Sequence, residues 1–85
     1  MSRKETIEHL LRALNPHFLS VEDKSSDHIG HAGNPMGAGQ THFSVTISAA
    51  SLKSYTKIEQ HRIINSLLKE EFDKGLHALS ITIIN

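Results

Sequence analysis

Eighty-five residues suffice for one compact domain and are too few for two, so the whole chain, 1–85, is expected to form a single unit. The absence of cysteine excludes disulfides, a thiol nucleophile and a thiolate metal site built by this chain alone. Nine Lys and Arg balance nine Asp and Glu, which disfavours long-range attraction to phosphate but leaves room for a local basic stripe, while seven His stand out as groups that can titrate or bind metal near neutral pH.

Ser2-Arg3-Lys4-Glu5 has the spacing of a capping box, and Ile7, Leu10, Leu11 and Leu14 recur at the three-and-four interval of one apolar helical stripe. A first helix is therefore predicted to about Leu14, ended by Asn15-Pro16 because proline disfavours helical geometry in its predecessor. Leu19 and Val21 alternate with Ser20 and Glu22 as a short strand, and Phe43, Val45 and Ile47 alternate with His42, Ser44, Thr46 and Ser48 as a second. Between them, Lys24 to Gln40 holds four of the five glycines, one of the two prolines and two histidines with no apolar period. A loop of that length inside a small domain points to function or disorder.

Ala49 to Tyr55 suggests a short helical turn, and Thr56-Lys57-Ile58-Glu59 repeats the capping-box spacing. One long helix is predicted from there, with Ile64, Leu67, Leu68 and Phe72 as its apolar stripe and Gly75 as its left-handed C-cap. Leu79, Ile81 and Ile83 alternate with Ala78, Ser80 and Thr82 as the last strand. Two helical stripes need an apolar surface to cover, and three half-apolar strands supply it, so the expectation is an α+β sandwich with the helices on one face of a three-stranded sheet.

No stretch approaches membrane-spanning length, and the N-terminus leads into a patterned helix rather than an apolar leader, so the cytoplasm is the expected compartment. The chain lacks a phosphate-cradling loop between strand and helix and a nucleophile elbow, and a run such as Ser25-Ser26-Asp27-His28 is ordinary loop composition; no enzyme is predicted. The histidines carry the chemistry instead. His28 and His31 lie in the loop, His42 opens the second strand and His77 precedes the last, and imidazole suits zinc, copper, iron and nickel. Two such groups rarely saturate an ion, so a partner or a small thiol would complete the site. His77 shares the parity of Leu79, Ile81 and Ile83, so a partly buried role is an equal expectation from pattern alone. On the long helix, His61 falls beside Ile64 and Leu68 and is expected to pack, while Arg62, with Lys57 and Lys69, faces outward as a solvated or phosphate-contacting surface.

Three segments together resemble the BolA-like family: Asp23-Lys24-Ser25-Ser26-Asp27-His28-Ile29-Gly30-His31, then Thr41-His42-Phe43-Ser44-Val45, then His61-Arg62 leading to Gly75-Leu76-His77-Ala78-Leu79-Ser80-Ile81. The resemblance runs through nearly the whole chain and implies a class II KH-like αββααβ fold. It further implies a [2Fe–2S]-bridged heterodimer with a monothiol glutaredoxin, in which His77 and a histidine of the 24–40 loop, His31 or His28, are ligands. The glutaredoxin cysteine and glutathione would then supply the thiolates this chain lacks. The isolated chain would be a monomer or weak dimer holding no cluster tightly. Family members are also described as DNA-binding transcriptional regulators, with the His61-Arg62 region meeting DNA; here Gln60 stands where a basic residue often precedes that pair. A third expectation is mononuclear zinc or copper held by His28, His31 and His77.

Overall fold

In the computed structural model, which describes residues 2–24 and 41–84, both capping boxes form. The Ser2 hydroxyl accepts from the Glu5 amide at 3.2 Å while the Glu5 carboxylate accepts from the Ser2 amide at 3.2 Å, and helix α1 (Arg3–Leu11) follows. It tightens into a 3-10 turn, Arg12–Leu14, and stops at Asn15, whose φ of 52° is the left-handed conformation that asparagine tolerates well. Thr56 and Glu59 repeat the reciprocal cap at the start of α2 (Lys57–Leu67), with bonds of 3.2 and 2.9 Å.

These caps make a pH prediction. Hydrogen bonds from Ser2 and Thr56 hold the Glu5 and Glu59 carboxyls below their ordinary pKa, so the ionised form is favoured by folding. Their contribution is complete above the unfolded-state carboxylate pKa and is lost as pH falls through the lower folded value. The melting temperature of Glu59→Gln, which accepts the same bond without a charge, is expected to lie below that of the wild type at pH 7 and to converge with it in acid. A pH-independent gap would show that the charge is irrelevant.

Strand β1 (Phe18–Asp23) pairs antiparallel with β2 (His42–Ser48), setting Leu19 opposite Ile47 and Val21 opposite Val45. Strand β3 (Ala78–Ile83) lies parallel to β2, with Val45 opposite Ile81 and Ile47 opposite Ile83, so the sheet order is β1-β2-β3. Because side chains alternate across a sheet, the odd-numbered apolar residues of all three strands share one face. Ile7 and Leu11 of α1, Leu52 of the 3-10 turn Ala50–Leu52, and Ile64 and Leu68 are fully buried in the core with Val45 and Ile47. The other face carries Ser20, Ser44, Thr46, Ser80 and Thr82. This is the α+β arrangement expected from the pattern.

Two expectations need correction. The long helix is broken: α2 ends at Leu67, Leu68 adopts φ −102° and ψ 10°, and α3 (Lys69–Asp73) begins afresh. The Leu68 amide is shared between the Ile64 and Asn65 carbonyls at 3.2 Å each, a geometry intermediate between α and 3-10 that lets the fully buried Leu68 stay in the core while the axis shifts. His61, in turn, is exposed, and Gln60 takes the inward position. At 100° per residue, Gln60 lies about 40° from Ile64 on the side of Leu67, and His61 about 60° away on the other. The stripe thus runs Gln60, Ile64, Leu68. The Gln60 amide donates to the Leu52 carbonyl at 2.7 Å, satisfying a buried acceptor of the preceding turn. Position 60 therefore serves the core, not a phosphate-facing surface.

Gly75 closes α3 as expected. Its φ of 123° is open to glycine alone at little cost, and the Leu76 amide bonds to the Glu71 carbonyl (2.9 Å) and the Gly75 amide to the Phe72 carbonyl (3.4 Å), a Schellman pair. The corner is tied to the far end of the chain. Arg3 Nε meets Glu71 Oε1 at 3.2 Å and Arg3 Nη2 donates to the Lys74 carbonyl at 3.1 Å. The first turn of α1 thereby holds the turn that delivers Leu76 and His77 to the sheet.

Candidate histidine site at the root of the 24–40 segment

Strands β2 and β3 are parallel, so both begin at the same end of the sheet, and a histidine stands at each beginning. The His77 and Ala78 amides donate to the Thr41 carbonyl at 2.7 and 3.1 Å, which fixes the His77 backbone although its side chain is exposed. His42 is 7% exposed, and its ring centroid lies 5.2 Å from that of His77 with the planes tilted by 54°. The Thr41 hydroxyl sits 2.9 Å from His42 Nδ1, orienting that ring. On the other side the Lys24 amide donates to the His42 carbonyl at 2.8 Å. Lys24 and Thr41 are the two ends from which 25–40 departs and returns. Both are therefore within one or two residues of the histidine pair, above a shallow hollow lined by Lys24, His42, Ser44, Ala78 and Ser80.

Of the histidines singled out from sequence, His77 is exposed at this end of the sheet, while His28 and His31 lie outside the described residues. Among the described residues no three His, Cys, Asp or Glu side chains are grouped as metal ligands, so the pair is half of a coordination set at most. The even alternative for His77, partial burial by parity, does not hold. The buried imidazole is His42, whose parity with Ser44 and Thr46 places it on the outward face; the His77 ring and the Thr41 hydroxyl are among its neighbours where the strand pair starts. The approach of these two rings was missed, and the signal for it was available. A helical connection between two strands of one sheet is compatible with a parallel pair, and the parallel pair that forms brings Thr41-His42-Phe43 beside Leu76-His77-Ala78.

The cationic candidates form a separate surface. Lys57 and Arg62 are exposed on α2 and share a shelf with Ile58, His61 and Asn65, and Arg62 shares the next hollow with Lys69. Lys69 is bonded to Asp73 at 3.1 Å, which neutralises part of that charge.

The fold and site define a small α+β domain whose candidate ligands stand at one end of a mixed sheet. Residues 10–85 match the BolA-like protein family, and the chain belongs to that family. It is 42% identical over 82 residues to a Sinorhizobium protein from the cobS 5′ region, covering 95% of this chain and 88% of that one. It is 33% identical to the Haemophilus influenzae DNA-binding transcriptional regulator BolA, over 95% of this chain and 75% of the relative. The solved BolA domain of SufE1 from Arabidopsis thaliana superposes with a TM-score of 0.86 at 38% identity, covering 98% of this chain and 91% of that domain. In sequence, the Arabidopsis SufE-like protein 1, chloroplastic/mitochondrial, is 42% identical over 87% of this chain, which spans only 21% of that longer protein. Family membership therefore does not fix a compartment. No helix among the described residues is long and apolar enough to cross a membrane.

Proposed function

We propose that this chain is a non-enzymatic adaptor in iron–sulfur cluster trafficking or assembly, acting in the cytoplasm by sharing a [2Fe–2S] cluster with a monothiol glutaredoxin and glutathione. The observation that carries it is His77: an exposed imidazole on a backbone pinned to Thr41, at the root of the segment that holds His28 and His31. Pinning removes most of the ordering cost of presenting a ligand, while exposure leaves the ring nitrogens open to a metal approached from outside. The donor set fits. A cysteine-free chain can offer imidazole or carboxylate but no thiolate, and a cluster bridged between two proteins can take its thiolates from the other side. Within this chain, Thr41 orients His42 through Nδ1, and His42 backs the His77 ring, the kind of outer support that holds a ligand's orientation. Anaerobic reconstitution with a monothiol glutaredoxin, glutathione, iron and sulfide is expected to give a heterodimer whose visible circular dichroism differs from that of the glutaredoxin homodimer. A mixture that shows only the homodimer spectrum would refute the reading.

A second reading, a DNA-binding regulator, is favoured by the name of the Haemophilus relative and by the exposure of Lys57 and Arg62 on α2 and of Lys69 at the start of α3. It requires duplex affinity that falls steeply with salt, with a slope reduced by about one in Arg62→Ala. Affinity unchanged by that substitution would remove this surface from the account.

A further inference from the structure

The two edges of the sheet are built differently. Strand β1 ends in Glu22 and Asp23, with Glu22 bridged to Lys24 at 2.9 Å, and charges of this kind protect an edge from further pairing. Strand β3, the other edge, reads Ala78-Leu79-Ser80-Ile81-Thr82-Ile83, with no charge, no proline and an uninterrupted register against β2. Its amides alternate in direction. Ala78 and Ile84 donate inward to Thr41 and Ile47, so in a regular parallel ladder Ser80 and Thr82 point inward as well, and the N–H and C=O groups of Leu79, Ile81 and Ile83 point off the edge.

That open ladder borders a groove. Tyr55, just before α2, and Lys57 and His61 on it form one wall, and Ile81 to Ile83 form the strand wall. Beside it Ile58 is 67% exposed and Tyr55 46%, and Lys57 and Arg62 have no carboxylate within ion-pair distance among the described residues. The geometry points to β3 as a docking edge for an extended acidic peptide segment of a partner protein, which adds a fourth strand and sets its alternate side chains into the groove. Backbone pairing along Leu79, Ile81 and Ile83 supplies the register. Apolar side chains meet Tyr55, Ile81 and Ile83, and carboxylates meet Lys57 and Arg62.

Charge selects this occupant over a second copy of the chain. Two-fold pairing of β3 with itself would bring two α2 surfaces, each bearing Lys57 and Arg62, alongside one another, and like charges so placed oppose association. The site is separate from the histidine pair, and its test needs no metal.

Nuclear magnetic resonance titration of the full, metal-free chain with a blocked peptide alternating glutamate and valine is the direct test, with the lysine–valine peptide as its control. The glutamate peptide is expected to shift the Leu79, Ile81 and Ile83 amides and slow their exchange, leaving Ser80 and Thr82 little changed. Binding should weaken about tenfold in Lys57→Glu/Arg62→Glu, both exposed positions, a loss of about 1.4 kcal/mol. Four results would each overturn the proposal: no shift at millimolar peptide, equal binding of the two peptides, self-association through the same amides without peptide, or displacement of the peptide by duplex DNA bound at the β3 amides.

Discussion

Replacement of His77 by alanine is expected to abolish the heterodimer's visible circular dichroism while leaving the melting temperature of the isolated chain almost unchanged. The two outcomes separate because the structural work at this position is done by the backbone. The His77 amide bonds to the Thr41 carbonyl at 2.7 Å, and alanine keeps that bond. The side chain is exposed, so its removal should cost no more than about 0.5 kcal/mol. His42→Ala should behave in the opposite sense on stability. That ring is buried beside Thr41, and deleting it removes the contact with the Thr41 hydroxyl and leaves a void, a loss of about 1–3 kcal/mol. A cluster spectrum indifferent to His77→Ala would remove His77 from the ligand set. The same assay assigns the loop ligand: His31→Ala is expected to reproduce the loss and His28→Ala to retain the signal, with the reverse result exchanging their roles.

What could be read from sequence follows the range of the interactions involved. Both capping boxes, the Asn15 stop and the Gly75 cap are set within five residues, and each forms as its local pattern requires. The strand faces were equally legible because a period of two assigns Val45, Ile47 and Ile81 to the core without knowledge of their partners. The inward turn of Gln60 in place of His61 was not, since both lie near the border of the stripe and only the position of the Leu52 carbonyl decides between them. The break at Leu68 has no proline or glycine to announce it. The histidine pair joins positions 35 residues apart in sequence (77 − 42) through strand topology, and composition can count histidines without showing which of them meet. Local chemistry thus fixed where helices begin and end, while long-range pairing chose which candidate side chains share a site.

The pair that closes the fold at its far end, Arg3 with Glu71, gives the largest expected stability effect of a single polar substitution. Arg3 is 16% exposed at its side chain and Glu71 8%, so Glu71→Ala removes an ion pair from a largely desolvated position while the guanidinium stays there. The expected cost is about 2–4 kcal/mol, which for a domain of this size lowers the melting temperature by on the order of 10–20 °C. Deleting both charges should cost much less. In Arg3→Met/Glu71→Leu neither charge remains to be desolvated, and water can replace the guanidinium at the exposed Lys74 carbonyl, so stability is expected to return to within about 1 kcal/mol of the wild type. Denaturant melts of the four proteins give the coupling energy directly, and strictly additive losses would show that the pair contributes nothing as a pair. The cycle also bears on the site. Arg3 holds the α3–β3 corner from which Leu76 and His77 run into the sheet, so the His77 amide should exchange faster in Glu71→Ala and recover protection in the double variant. Recovery would mean that rigidity at the corner, rather than charge itself, keeps the histidine in place.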